Sequence, residues 1–306
     1  MAFTAKDVAE LRKQTGCGMM DCKNALTESN GDIEAAIKIL REKGMAAVAK
    51  KEGRIAAEGI VDIMTIGSTT AMVEVNSETD FVAKNAVFQE FVKNILKTII
   101  VNKPADVDAL MSCSIEGDEG TVTEALASKT GTIGEKLSIR RFTTFEGATA
   151  TYIHNKGETG VVITFDTDVA DKEEFAACGK DVALQVAAMT VKYLNKESVP
   201  ASVLEEEKAI LVSQMKNDPK MANKPEQVLI KIVEGKLGKY YENNCLLEQL
   251  FVKDDSLTVG KYVDSVAKSV GGKIAVTGFV RFDKGEGIQK REEDYAAEIA
   301  KMVNGN

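Results

Sequence analysis

The sequence predicts an α+β protein built in several parts, and three observations carry that prediction. Runs with the two-residue period of strands, 59–66 and 70–76, lead directly into a run with helical spacing: Phe88, Phe91, Val92, Ile95, Leu96 and Ile99. The pattern then recurs at an offset of 88 residues without a gap: Glu58-Gly59 falls on Glu146-Gly147, Val73 on Val161, Val75 on Ile163, and Thr79-Asp80 on Thr167-Asp168. Two other stretches, 1–53 and about 198–251, show helical periodicity and no strand pattern. The expected organisation is an N-terminal three-helix domain (1–53), a first core repeat (54–145) and a second core repeat (146–284). The second repeat carries a helical-hairpin insertion at about 198–251, and a C-terminal helical module (285–306) follows.

In chain order, Thr4 and Asp7 have the spacing of a capping box, and Val8 and Leu11 begin the apolar face of a first helix. The stretch Thr15-Gly16-Cys17-Gly18 ends it. A second helix carries Met20, Cys22, Ala25 and Leu26. Asp32 is a good N-cap for a third, with Ile33, Ala36, Ile37 and Leu40 on one face and Gly44 as the expected C-cap. Residues 45–57 read as a connector. The strands 59–66 and 70–76 form a hairpin around Gly67-Ser68-Thr69. In the second of them, residues 71, 73 and 75 share one face and 72 and 74 the other, the period of a half-buried strand. A helix over about 85–101 follows, Thr121 and Glu124 open another, and 136–142 read as a third strand.

The second repeat again ends in a helix, with Phe175, Cys178, Val182, Val186 and Met189 on one side. Its closing strand, from Arg281, echoes the one from Arg141. In the insertion, one stripe runs through Val203, Leu204, Ile210 and Leu211 and another through Leu229, Ile232, Val233, Leu237 and Tyr240. Pro219 and Pro225 bracket the turn of this antiparallel helical hairpin. Residues 255–269 predict a further helix, and Tyr295, Ile299 and Met302 keep helical spacing in the tail.

Composition excludes more than it assigns. With 44 % hydrophobic and 28 % charged residues, the chain can bury sizeable cores. A net charge of −8 and a pI near 5.1 argue against direct binding to nucleic acid. No transmembrane span or leader is expected. Cys17, Cys22, Cys113, Cys178 and Cys245, without a CxxC pair, read as free thiols of a reducing, cytoplasmic compartment. The single histidine, His154, falls at the tip of the second hairpin and lacks companions for a metal site. Residues 131–136 have the flavour of a phosphate loop, but the spacing is wrong and Glu135 precedes the lysine. No cofactor and no enzymatic activity are expected.

The turn between the 70–76 strand and the long helix reads Thr79-Asp80-Phe81-Val82. Phe81 has two readings: a plug for its own core, or an apolar anchor for a partner. The second repeat has Val169 at that place, which favours the anchor, since a structural plug should recur as something equally large.

This Thr-Asp-Phe-Val string resembles one signature of the elongation factor Ts family, nucleotide-exchange factors for the translation GTPase elongation factor Tu. The string Leu11-Arg12-Lys13-Gln14-Thr15-Gly16-Cys17-Gly18-Met19-Met20-Asp21-Cys22-Lys23-Asn24-Ala25-Leu26 resembles the other. The likeness covers nearly the whole chain. It implies that Thr79, Asp80, Phe81 and Val82 displace Mg²⁺ in the partner and drive exchange. It implies further contacts at Leu11, Met19, Met20, His154 and Tyr295. It also implies a protruding arm at 198–251, used for dimerisation in some members, so a homodimer through the core or the arm stays open. The three N-terminal helices resemble the ubiquitin-associated type of domain. Two other classes fit the bare sequence: a ubiquitin-associated adaptor without exchange activity, and a thiol enzyme using Cys17 or Cys22.

Overall fold

The computed structural model describes residues 3–15, 17–189, 191–217 and 226–289. Three helices come first: α1 (Ala5–Thr15), α2 (Met19–Glu28) and α3 (Ile33–Lys51). They pack around Leu11, Cys22, Ala25, Leu26 and Ala36. The Thr4–Asp7 box forms as its spacing predicts, with the Thr4 N–H donating to the Asp7 carboxylate at 2.7 Å. Asp32 accepts from the Ala35 N–H at 3.0 Å and caps α3. A first α+β unit follows: strands β1 (Glu58–Ile66) and β2 (Thr69–Ser77), the single turn α4 (Asp80–Ala83), then α5 (Ala86–Asn102), α6 (Val107–Ser112), α7 (Val122–Ile133) and strand β3 (Ser138–Glu146). The next unit runs β4 (Thr149–His154), β5 (Thr159–Thr167), α8 (Glu173–Ala188), α9 (Ala201–Asn217), α10 (Glu226–Asn244), β6 (Leu250–Phe251), β7 (Asp254–Thr258), α11 (Val259–Val270) and β8 (Ile274–Asp283).

Two antiparallel three-stranded sheets result, in the orders β1-β2-β3 and β4-β5-β8. In both, the strand that precedes the long helix is central. Side-chain alternation then fixes the layers. Ala71, Val73 and Val75 of β2 meet Phe88, Phe91, Val92, Ile95 and Ile99 of α5. Val161 and Ile163 of β5 meet Phe175, Cys178 and Val182 of α8, and Val263 of α11. The opposite faces meet each other through Val61, Met72, Val162 and Phe282. The layers therefore run helix, sheet, sheet, helix. For that reason β2 is buried along its whole length and is not the half-buried strand that its period suggests.

A buried carboxylate lies in the gap between the sheets. Glu74 is fully buried. Its carboxylate accepts from Arg140 at 2.9 Å, Arg141 Nε at 2.6 Å, Asn76 Nδ2 at 3.1 Å and the Gly285 N–H at 2.8 Å. Arg141 also reaches the Asp283 carbonyl and the Glu286 carboxylate, so the segment after β8 is tied to the first sheet.

Helix α3 corrects the expected stop at Gly44. It runs on to Lys51, and Gly44 is buried within it. The reason is a close crossing with α7. A Cβ at Gly44 would lie 3.0 Å from the Ala127 carbonyl oxygen, and Gly131 faces Gly44 from the other helix. The glycine serves packing, and the connector shrinks to residues 52–57.

Other elements depart in smaller ways. Residues 255–258 belong to β7, and the following helix begins at Val259. Met189 lies just past α8 and is exposed, so it does not share that helix's buried face. The arm helices hold each other through Leu211, Met215, Val233 and Leu237. The helical part of the insertion ends at Asn244, because Leu246 and Phe251 return to the core under α8. The expected tail helix lies outside the described residues.

Candidate functional site

The chain leaves β2 at Ser77 and must turn to lay α5 back over the sheet. Thr79 is extended, with φ −124° and ψ 157°, and α4 makes one helical turn before Asn85 caps α5. Within that turn the residues divide. Val82 points into the core shared with α5. Phe81 is 78 % exposed, although a ring of that size normally finds cover. Beside it lies a cleft of about 260 Å³ lined by Phe81, Val82, Asn85, Val87, Thr132 and Ile133, and Val87 is also exposed. The result is a contiguous apolar patch on a tight corner.

Polar contacts fix this corner. Glu135, just after α7, accepts from the Thr79 N–H at 2.9 Å and from the Thr79 hydroxyl at 2.6 Å. The Ser77 hydroxyl donates to the Thr79 carbonyl at 2.9 Å. The neighbouring Glu78 accepts from the Lys136 N–H and pairs with Arg54 at 3.2 Å. On the outer side, Lys84 Nζ lies 2.6 Å from the Asp80 carboxylate and 5.8 Å from the centre of the Phe81 ring. The Lys84 hydrogen bond holds the Asp80 carboxyl below its ordinary value. Both groups are exposed, so the pair contributes little to stability.

The other expected contact residues are spread over the molecule. Met19 and Met20, at the start of α2, are 46 % and 61 % exposed. They belong to the helical module that α3 docks on α7. Between that module and α7 lies a second cleft of about 170 Å³, and Thr132 borders both clefts. The two clefts therefore meet at Thr132, near the end of α7. Leu11 corrects its expectation: it is fully buried among the helices, with no surface left for a partner. Val82 is likewise a core residue that seats the corner from below. His154 closes β4 at the exposed hairpin end, with Nδ1 3.2 Å from the Tyr152 hydroxyl, so it sits on the second sheet and not at the corner. Tyr295 lies outside the described residues.

Sequence reasoning missed Glu135, Glu78 and Val87. The stretch 131–136 drew notice only as a failed phosphate loop, and the geometry explains the failure. Residues 131–133 are the last turn of α7, and Gly134, with φ 85°, caps its C-terminus. A helix C-terminus presents carbonyl oxygens and the negative end of the dipole, which repel phosphate.

Reactive chemistry is not assembled here. All five cysteines are free thiols. Burial pushes Cys178 up to about 12, Cys245 up to about 11, and Cys22 upward as well, the opposite of activation. Among the described residues, no group of three or more His, Cys, Asp or Glu is placed to hold a metal. No helix among them is long and apolar enough to cross a membrane.

Comparison with known proteins agrees with the signatures. Residues 78–286 match the family model of elongation factor TS. Elongation factor Ts of Syntrophotalea carbinolica is 46 % identical over 306 residues, covering 99 % of this chain and 100 % of the relative. That of Clostridium kluyveri is 46 % identical over 309 residues, covering 99 % of each. That of Magnetococcus marinus is 42 % identical over 308 residues, covering 100 % of each.

Proposed function

Since the chain belongs to the elongation factor Ts family, we propose that it is a guanine nucleotide exchange factor of translation elongation. It binds elongation factor Tu carrying GDP, displaces the partner's Mg²⁺, promotes GDP release and stays bound until GTP binds. It acts by protein–protein binding and not as an enzyme. The observation that carries this reading is the contrast between two corners. Phe81 is 78 % exposed at the end of β2, whereas Val169, the matching residue beyond β5, is 8 % exposed and packed in its own core. We read the two α+β units as copies of one ancestor and the first three helices as a ubiquitin-associated-like domain. Only the first copy has turned its corner outward.

The physics follows from that ring. Entering a gap between two helices of the partner, Phe81 gains roughly 2–3 kcal/mol by burial. If that gap exists only when the helices are displaced, the gain favours the displaced state alone. Displaced helices no longer position the Mg²⁺, the nucleotide phosphates lose neutralisation, and GDP leaves. Met19 and Met20, both exposed, supply an adaptable apolar contact. The ubiquitin-associated adaptor reading lacks any role for the exposed ring.

The test is GDP release from elongation factor Tu at saturating factor. Phe81→Ala lowers the maximal acceleration about thirtyfold if ~2 kcal/mol of ring burial is confined to the displaced state. Acceleration equal to that of the unaltered chain removes the wedge. Asp80→Ala separates a direct role of that carboxylate from a role in the turn: unchanged exchange leaves Asp80 only its bond to Lys84.

A further inference from the structure

The groups that hold the Phe81 corner have no role in the function as stated so far. They come from the loop after α7. Glu135 takes both hydrogen-bond donors of Thr79, two residues before the ring. Lys136 donates its N–H to Glu78 and extends its ammonium to the Glu52 and Arg54 carbonyls, at 2.6 and 2.9 Å, where α3 ends. From below, buried Val82 pins the other flank of the ring. Phe81 thus sits between one residue clamped by a carboxylate and one seated in the core.

From this geometry we infer that Glu135 is a positioning residue: through Thr79 it sets the direction in which Phe81 projects. The inference rests on the wedge reading above. A single helical turn has no intrinsic stability, and the exposed ring gives it no packing. Without the clamp, the turn samples other directions, and only a fraction of them present the ring to the partner. The effective wedge is reduced by that fraction. The hydrogen bonds of Glu135 go to Thr79, so on this inference it acts through that residue. The bonds do not require its charge. In E135Q the amide oxygen still accepts the Thr79 N–H, and the amide NH₂ donates to the threonine oxygen. In E135A both contacts vanish.

The experiment measures GDP release from the partner GTPase against concentration of the full-length factor, for the unaltered chain, E135A, E135Q, Phe81→Ala and the double variant E135A/Phe81→Ala. Amide hydrogen exchange at Thr79 and thermal unfolding are followed in the absence of partner. Expected for E135A are an acceleration at saturation lowered about tenfold, a half-saturating concentration changed less than about threefold, and faster exchange at the Thr79 amide. E135Q restores most of the rate, and the double variant is little slower than Phe81→Ala, because both changes remove one wedge. Acceleration by E135A at the level of the unaltered chain, with Phe81→Ala slow, overturns the positioning role and leaves the wedge standing. If both variants match the unaltered chain, the wedge falls and the positioning role with it. A loss in E135A matched by a large fall in Tm, or an E135Q as slow as E135A, also overturns the inference, in favour of a fold or charge effect.

Discussion

Removing the carboxylate of Glu74 tests the joint between the two sheets. Glu74 is fully buried and accepts from two guanidinium groups, the Asn76 amide and the Gly285 N–H. Glu74→Ala leaves a buried gap in which Arg140 loses its carboxylate partner and Arg141 keeps only Glu286. Breaking a buried pair from one side costs about 3–5 kcal/mol, a fall of about 6–12 °C in Tm for a unit of this size. Glu74→Gln is expected to do little better, because its NH₂ would point a donor at donors. The assay is thermal unfolding at several pH values. Burial works against the Glu74 carboxylate, but the Gly285 N–H, Arg140, Asn76 and Arg141 outweigh it and hold the carboxyl below its ordinary 4.5. A carboxyl depressed by folding contributes stability that is complete above its unfolded value and is lost as pH falls through its folded one. The deficit of the variants should therefore persist from neutral pH to about 4.5 and shrink in stronger acid. A fall of less than about 2 °C at pH 7, or a deficit that does not shrink in acid, refutes the reasoning.

Three further outcomes follow from the same geometry. Gly44→Val places a side chain against the Ala127 carbonyl, and such overpacking costs about 1–3 kcal/mol; α3 should lift from α7, seen as faster proteolysis within residues 52–57, and unchanged cleavage would deny the close crossing. Burial raises the Asp62 carboxyl above its ordinary 3.8, only partly countered by the Ile63 N–H and Lys93, so folding is weakened as pH rises through the raised value. Asp62→Asn keeps an acceptor for the Ile63 N–H; it should raise Tm at pH 7 and leave it unchanged in acid below that ordinary value, and a lowered Tm at pH 7 would contradict this. Under a thiol reagent, Cys17 and Cys113 should react before the buried Cys22, Cys178 and Cys245; simultaneous reaction of all five in the folded chain would refute the burial argument.

Local patterns were legible in the sequence because their causes are local. The caps at Thr4, Asp32 and Thr121 each form within three residues of the capping side chain, and the hairpin at Gly67-Ser68 needs only its own turn. What the sequence hid depends on a second element. Gly44 reads as a stop until α7 is seen against it. The 72 and 74 face of β2 reads as the outer face until a second sheet covers it, and Glu74 then becomes a buried anion. Leu11 belongs to a signature string, yet the three-helix packing buries it. Glu135 lies 56 residues from Thr79, and no periodicity links them. Phe81 was readable for a different reason: Val169, at the offset of 88 residues, supplied an internal comparison.

That comparison also bears on why the corner is rigid. On the proposed wedge reading, a ring that holds a neighbour in a displaced state must not yield first. Its own burial provides only ~2–3 kcal/mol, and any bending of the corner subtracts from that. Hydrogen bonds to a charged group contribute about 1.5–3 kcal/mol each, so two of them on Thr79 match the load. The corner beyond β5 closes differently. There Asp168, itself exposed, accepts the Lys273 N–H at 2.6 Å, and Val169 fills the core. Beyond β2 the turn is held by Glu78 and Glu135, and Phe81 faces outward. Folding alone does not call for an outward ring, because the corner beyond β5 closes with Val169 packed inside the same molecule. On the proposed function the outward ring gains only when a partner covers it, and by linkage the partner's nucleotide must then weaken that contact by the same factor by which the contact weakens the nucleotide.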